Sequence, residues 1–247
     1  MVDFPLAIVT GGAHRLGRAF VTALAEKGYA VLVHYHTSEE QAFDTVGLAQ
    51  RLQVPAFSYQ ADLRDPQQVS GLFTHADKLI DSPDTGVSRL MVLVNSAGLF
   101  SSTSVLNVPV EEWDVMLDLN LRAPFLCAQQ AARRMRAGSL IVNITDVGAH
   151  KTWSRFPIYT VSKAGLETLT RVMARALAPT IRVNAIAPGL VLHSNLISQD
   201  QWKKLSERLP LRRPATTEEV ASALGYLIEN KYITGQTIVV DGGYALI

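Results

Sequence analysis

The chain has 247 residues, 48% hydrophobic and 18% charged, enough to fill one core without division into two domains. A formal net charge of +1 with no Lys/Arg tract excludes the basic excess that would hold a nucleic-acid backbone. Cys127 is the only cysteine, which excludes an intrachain disulfide and a cysteine cluster for metal.

The opening run MVDFPLAIVTGG carries no basic leader, and its apolar stretch ends at Gly11. That is too short for a signal peptide or a membrane span, so a soluble, cytoplasmic protein is expected. Leu6–Val9 predicts a short strand, Thr10-Gly11-Gly12-Ala13-His14-Arg15-Leu16-Gly17 a glycine-rich turn, and the run to Lys27 a helix. Strand, turn and helix in that order make a phosphate site, because N–H groups at the helix start face an anion that glycine lets approach closely. Gly28 stops the helix, and Ala30–His34 follows as a second strand. An acid at the end of that strand would accept from a ribose 2′-OH and repel a 2′-phosphate. Here the chain reads His34-Tyr35-His36-Thr37-Ser38, with no carboxylate until Glu39, which favours NADP(H) over NAD(H). Ser38 with Gln41 also fits a helix capping box. His34 and His36 have no acidic or cysteine companion at ligand spacing, so no metal is expected.

Ala56–Tyr59 predicts a third strand leading to Ala61-Asp62-Leu63, and Asp65-Pro66 opens a helix with a capping acid and a first-turn proline. That helix closes at the turn-rich Asp81–Gly86. Leu90–Val94 is fully apolar, as a central parallel strand should be, and runs into Asn95-Ser96-Ala97-Gly98. A helix from about Pro109 contains Asn120, and Leu140–Ile144 is a further buried strand. Asp146 lies just past its carboxyl end, the edge at which open α/β sheets bind ligands. A helix from Pro157 to near Pro179 carries Tyr159 and Lys163 on one face, where the ammonium is expected to stabilise the phenolate and lower the Tyr159 pKa. Ile181–Ala187 is a sixth strand, ending in Pro188-Gly189-Leu190-Val191. Leu192–Arg213 reads as polar and irregular, with Trp202, and residues 190–213 are expected to form a substrate lid; the alternative is a mobile surface helix. Thr216 with Glu219 caps a last helix through Glu229, and Thr237–Val240 is the last strand. Alternating strands and helices, without repeat or linker, predict one α/β domain over 1–247. Its fold is a Rossmann-type, doubly wound parallel sheet of about seven strands in a three-layer α/β/α stack.

Four motifs resemble those of the short-chain dehydrogenase/reductase family: T-G-x-x-x-R-x-G at 10–17, N-S-A-G at 95–98, Tyr159-x-x-x-Lys163 and V-D-G-G at 240–243. The resemblance spans nearly the whole chain. Thirteen residues before Tyr159, where the family usually has Ser, this chain has Asp146. In that Asp, in Arg15, in Phe100 and in the His34–Ser38 string it is similar to the pteridine reductases, including the bacterial dihydromonapterin reductases. The resemblance implies a catalytic set of Asp146, Tyr159, Lys163 and Asn120, the last holding a water that relays protons to Lys163. It implies NADPH contacts from Gly11, Arg15, Leu16, Gly17, His34, Tyr35, His36, Thr37, Ser38, Asp62 and Leu63, and then from Asn95, Ser96, Ala97, Tyr159, Lys163, Pro188, Gly189 and Val191. It implies substrate contacts from Arg15, Phe100, Asp146, Tyr159, Leu190 and Trp202, and a homotetramer. Residue by residue alternatives stay open: Asp146 as a loop carboxylate capping a backbone turn, Arg15 as a solvated turn residue, Ser38 as a cap, and Phe100 as packing rather than a platform for a flat ring.

The implied reaction is hydride transfer from NADPH to a ring carbon of a dihydropterin or dihydrofolate, with a proton delivered to the adjacent nitrogen. An ionised Asp146 would raise the Tyr159 pKa. Asp146 therefore either stays protonated and donates, or accepts and orients Tyr159 and the pterin amino groups. Two other functions fit less of the pattern. One is a carbonyl (ketone or 3-ketoacyl) reductase with Asp146 in place of Ser; the other is a non-catalytic NADP(H)-binding regulatory protein, against which the intact Tyr159, Lys163 and Asn120 argue.

Overall fold

The computed structural model describes residues 3–194 and 196–247. Met1 and Val2, and Asn195 inside the expected lid, lie outside the described residues. The strands are β1 (Phe4–Thr10), β2 (Ala30–Tyr35), β3 (Ala56–Gln60), β4 (Val87–Asn95), β5 (Ser139–Ile144), β6 (Ile181–Pro188) and β7 (Thr237–Val240). Among the described residues they form one seven-stranded sheet in the order β3-β2-β1-β4-β5-β6-β7. Every pairing in it is parallel. The expected strands are all present, most of them one to three residues longer than their apolar runs.

Parallel strands covered on both faces read as continuous apolar runs, and alternate residues feed opposite cores. In β1, Ala7 and Val9 enter one core while Leu6 and Ile8 enter the other. The first core is closed by α1 (Arg15–Glu26), α2 (Glu39–Arg51) and α9 (Thr217–Glu229), through Phe20, Leu24, Ala42, Leu224 and Leu227. The second is closed by α3 (Pro66–Asp81), α5 (Ala123–Ala132) and α7 (Pro157–Leu177), through Leu72, Phe73, Ala128 and Met173. Cys127 is fully buried there, and burial pushes its thiol up to about 12, which leaves it without thiolate reactivity.

Three local expectations need correction. The helix from Pro109 is interrupted: α4 (Val110–Leu117) passes through a π turn, Asp118–Arg122, before α5. Asn120 sits in that turn and is fully buried, as is common for π turns at functional sites. The stretch expected to be irregular contains a helix, α8 (Gln199–Arg208), because Ser198 and Gln201 form a reciprocal capping box. Conversely, Ser38 does not cap α2: its backbone, at φ −93° and ψ 63°, is not extended, and its hydroxyl makes no cap bond. Thr216 and Glu219 do cap α9 reciprocally. No helix among the described residues is long and apolar enough to cross a membrane.

Candidate active site

Order reverses between β1 and β4, and the turns after these two strands interlock at the carboxyl edge of the sheet. Gly11 has φ 62°, and a Cβ there would lie 2.8 Å from the Ala97 Cα. A Cβ on Gly17 would lie 2.0 Å from the Gly11 carbonyl oxygen. The Thr10 hydroxyl ties the two turns, accepting from the N–H groups of Ser96 at 3.0 Å and Ala97 at 3.1 Å. The start of α1 has neither a side-chain cap nor an acid in its first turn, so its N–H groups are free to face an anion. Arg15 is exposed and sits at φ 52°, a left-handed conformation that favours glycine. Leu16, beside it, is half-buried.

His34 is not presented to a ligand. Its Nδ1 accepts from the Gly11 N–H at 3.0 Å and its Nε2 donates to the Ala61 carbonyl at 2.9 Å. The ring is 3% exposed, and burial lowers its pKa to about 4. It braces the glycine turn against β2 and β3. Tyr35 is also buried, and its hydroxyl donates to Glu39 at 3.2 Å. His36, Thr37 and Ser38 do reach the surface at the end of β2. Asp62, expected among the NADPH contacts, is engaged by Arg64, whose Nη2 lies 2.6 Å from its Oδ2. Those hydrogen bonds lower its pKa to about 2. Leu63 is buried beside it. Sequence reading missed Arg64, although it stands only two residues beyond Asp62. Asn95 is buried as well, its amide donating to Asn143 Oδ1 at 2.9 Å across β4 and β5.

The turn after β5 is built from side chains. Tyr159, in the first turn of α7, donates from Oη to Asp146 Oδ2 at 2.8 Å. The other Asp146 oxygen accepts from the Gly148 N–H at 2.7 Å, at the start of the single-turn helix α6 (Gly148–Lys151). Burial raises the Asp146 pKa, and the carboxyl therefore favours its protonated form relative to a solvated one. Lys163 Nζ donates to the Ile144 carbonyl at 2.8 Å and lies 5.8 Å from the Tyr159 ring centroid. Burial lowers its pKa to about 8. The expectation that Lys163 draws the phenol down is overturned: burial first, then Asp146, pushes Tyr159 well above the usual phenol range.

Asn120 is held from the neighbouring turn. Its Oδ1 accepts from the Leu99 N–H at 2.8 Å, and its amide donates to the Leu99 carbonyl at 2.9 Å and the Ser162 hydroxyl at 3.1 Å. Through these side-chain contacts the residue clamps the Leu99 backbone. A Cβ on Gly98 would meet both Asn120 Oδ1, at 3.2 Å, and Lys163 Nζ, at 3.5 Å; glycine lets the two side chains approach there.

Aromatic rings wall the mouth of the site. Phe100 is 39% exposed, stacks on Phe156 at 4.6 Å and 28°, and meets the Tyr159 ring edge-on at 4.6 Å. Trp153 packs on Phe156 from the other side at 5.8 Å. Trp202, on α8, meets His193 edge-on at 5.6 Å and makes none of these ring contacts. At the end of β6, the Pro188 carbonyl accepts from the Val147 N–H at 3.0 Å, and a Cβ on Gly189 would lie 2.7 Å from the Asp241 Cα. Leu190 and Val191 follow at the same edge, both half-buried. No group of three or more His, Cys, Asp or Glu among the described residues is placed to hold a metal.

The chain is similar to known proteins along nearly its whole length. A family model described as enoyl-(acyl carrier protein) reductase matches residues 11–245. The 3-oxoacyl-[acyl-carrier-protein] reductase FabG of Staphylococcus epidermidis is 34% identical over 245 residues, covering 96% of this chain and 97% of that protein. Among solved structures, FolM alternative dihydrofolate reductase 1 from Brucella suis, in complex with NADP, superposes with TM-score 0.91 at 34% identity, covering 100% of this chain and 97% of that one. A short-chain dehydrogenase/reductase from Serratia marcescens superposes with TM-score 0.90 at 29% identity over 99% of both chains.

Proposed function

The chain belongs to the short-chain dehydrogenase/reductase family, and from that footing we propose that it is an NADPH-dependent reductase of dihydropterins, dihydrofolate included. The observation that carries this reading is the buried Asp146 carboxyl hydrogen-bonded to Tyr159, whose ring packs against the partly exposed Phe100. A ring C=N bond needs a proton at nitrogen, and a flat heterocycle needs a flat apolar wall. The NADP-bound FolM structure, similar along its whole length, supports the same choice.

The residues present fit the cofactor. Glycines at 11 and 17 occupy places where a Cβ would collide, and the first turn of α1 is uncapped. The 2′-phosphate would meet His36, Thr37 and a Ser38 hydroxyl that no helix cap occupies, with Arg15 as a charge partner. Bound NADPH supplies the hydride. Lys163, fixed on the Ile144 carbonyl, would hold the nicotinamide ribose. Burial shifts both Asp146 and Tyr159 toward their neutral forms. Two neutral acids in one hydrogen bond carry two protons; one bridges the oxygens and the other is free for the substrate nitrogen. Residues 190–213 would close over the substrate as a lid.

The assembly we propose is a homotetramer. It is supported by Trp113, Phe125, Val161 and Val172, large apolar side chains exposed on α4, α5 and α7. A second reading, 3-ketoacyl reduction, is favoured by the similarity to FabG. Oxidation of NADPH by the purified protein with dihydrobiopterin, dihydromonapterin, dihydrofolate, a simple ketone and a 3-ketoacyl thioester, each offered alone, decides between them. Turnover of pterins or folate only is expected; turnover of the ketone or thioester only would replace the first reading with the second.

A further inference from the structure

Behind Asp146 lies a second acid that the reaction so far does not use. Glu167 stands on α7 one turn beyond Lys163 and two beyond Tyr159, so phenol, ammonium and carboxylate form one stripe. Each holds part of the same segment. Lys163 takes the Ile144 carbonyl, Tyr159 takes Asp146, and Glu167 accepts from the Thr145 hydroxyl at 3.3 Å. Glu167 is 8% exposed, and its two oxygens accept from His150 Nε2 at 2.8 and 2.9 Å. His150 rides on α6, whose first N–H binds Asp146. The second acid is thus joined to the first through Thr145 in the chain and through His150 in space.

The surroundings of Asp146 make that acid matter. From α7 it is faced by Tyr159, Lys163 and Glu167, and the field of Asp146 reaches Tyr244 in the C-terminal turn, itself near Arg208. Lys151, also on α6, is turned away to the carbonyls of Tyr244 and Ile247. The charge of Glu167 reaches Asp146, and a like charge there disfavours ionisation of Asp146. Its partner His150 is an imidazole, whose charge offsets that of Glu167 when present.

We propose that Glu167 and His150 are a positioning pair for the proton donor: Glu167 holds the Thr145–Asp146 turn, and its charge, balanced by His150, governs whether Asp146 keeps its proton. This rests on the reading of Asp146 as the proton source.

The test follows Asp146 directly, by carboxyl NMR titration of protein labelled with [13C]Asp, its resonance assigned by its absence in Asp146→Asn. Glu167→Gln keeps the size and the hydrogen bonding but removes the charge. It is expected to lower the Asp146 midpoint, because the like charge that disfavours ionisation is gone. His150→Gln leaves Glu167 unbalanced and should raise the midpoint. Opposite shifts support the pair, because a merely structural role would move both variants the same way. An unmoved midpoint in Glu167→Gln, or shifts of one sign in both variants, overturns it. Melting curves of both variants establish that they fold. No substrate enters the titration, so failure of the pterin reading shows separately, as pterin turnover that is absent or that survives in Asp146→Asn.

Discussion

The turn after β1 and the turn after β5 lie on one edge of one sheet, yet they are built from opposite materials. The first is made of glycine and main chain, with Gly17 and Gly11 packed where no Cβ fits and an uncapped helix start. The second is made of ionisable side chains held out of water, with Asp146, Tyr159 and Lys163 all displaced from their ordinary pKa values by burial. The difference follows from the tasks. A phosphate carries its charge in every context and asks only for N–H groups and room. A proton must change hands, and only groups whose charge is contested can give it up near neutral pH.

The largest expected effect strikes the second turn. Tyr159→Phe or Asp146→Asn should lower kcat by about 100- to 10,000-fold, the range for a positioned acid, with little change in NADPH affinity measured by fluorescence titration. If Asp146→Asn keeps full activity, the turn after β5 owes nothing to its contested charges. For the proton inventory the sign is fixed: a raised Asp146 pKa means turnover falls as pH rises through that value.

The next effect tests the one titratable brace under the glycine turn. His34 is held near 4, below the ordinary 6.5, so the folded state refuses a proton that the unfolded chain accepts. Its contribution is present above pH 6.5 and is lost as pH falls toward 4, on the order of 3 kcal/mol in all. Thermal melts across that interval should show a steep acid loss that is absent in His34→Asn, which should itself be less stable at neutral pH. A flat wild-type profile would remove His34 from the brace.

Gly17→Ala sharpens the contrast. With 2.0 Å between the added Cβ and the Gly11 carbonyl, the backbone must move, and NADPH should bind about 100-fold more weakly, the cost of an ångström-scale misplacement. Calorimetric binding that matches the parent protein would show the turn to be less rigid than its packing says. The smallest effect concerns neither turn. Ser198→Ala removes half of the α8 capping box and should cost about 1 kcal/mol of local stability, read as faster amide exchange at the start of α8. Its influence on KM measures how far 190–213 acts as a lid.

The sequence carried the sheet and the first turn because their signals are local: apolar runs between turn residues, and glycines at fixed spacing. Tyr159 and Lys163 were legible for the same reason, as neighbours on one helix. What escaped depends on contacts distant in the chain. His150 and Glu167 meet across the turn after β5, and Asn120 reaches Leu99, with nothing in the spacing to announce either. The direction of the Tyr159 shift was lost because burial outweighs the nearby ammonium, and burial is a property of the folded chain. His34 was read as a ligand contact because the end of β2 reaches the cofactor edge, but its side chain points under that edge. In α8, by contrast, the Ser198 and Gln201 pair was present in the sequence and went unread beneath a polar surface pattern.

The π turn at 118–122 makes this site more sensitive to loss of a residue than to exchange of one. A π turn holds one residue more than the regular helix around it, and here that surplus brings Asn120 inward against Leu99. Deleting any single residue between 118 and 122 would let α4 and α5 fuse into an unbroken helix. The helices on either side would keep their phase, but the inward surplus that carries Asn120 would be gone. The clamp on Leu99 would swing out of reach even with every other side chain of the site retained.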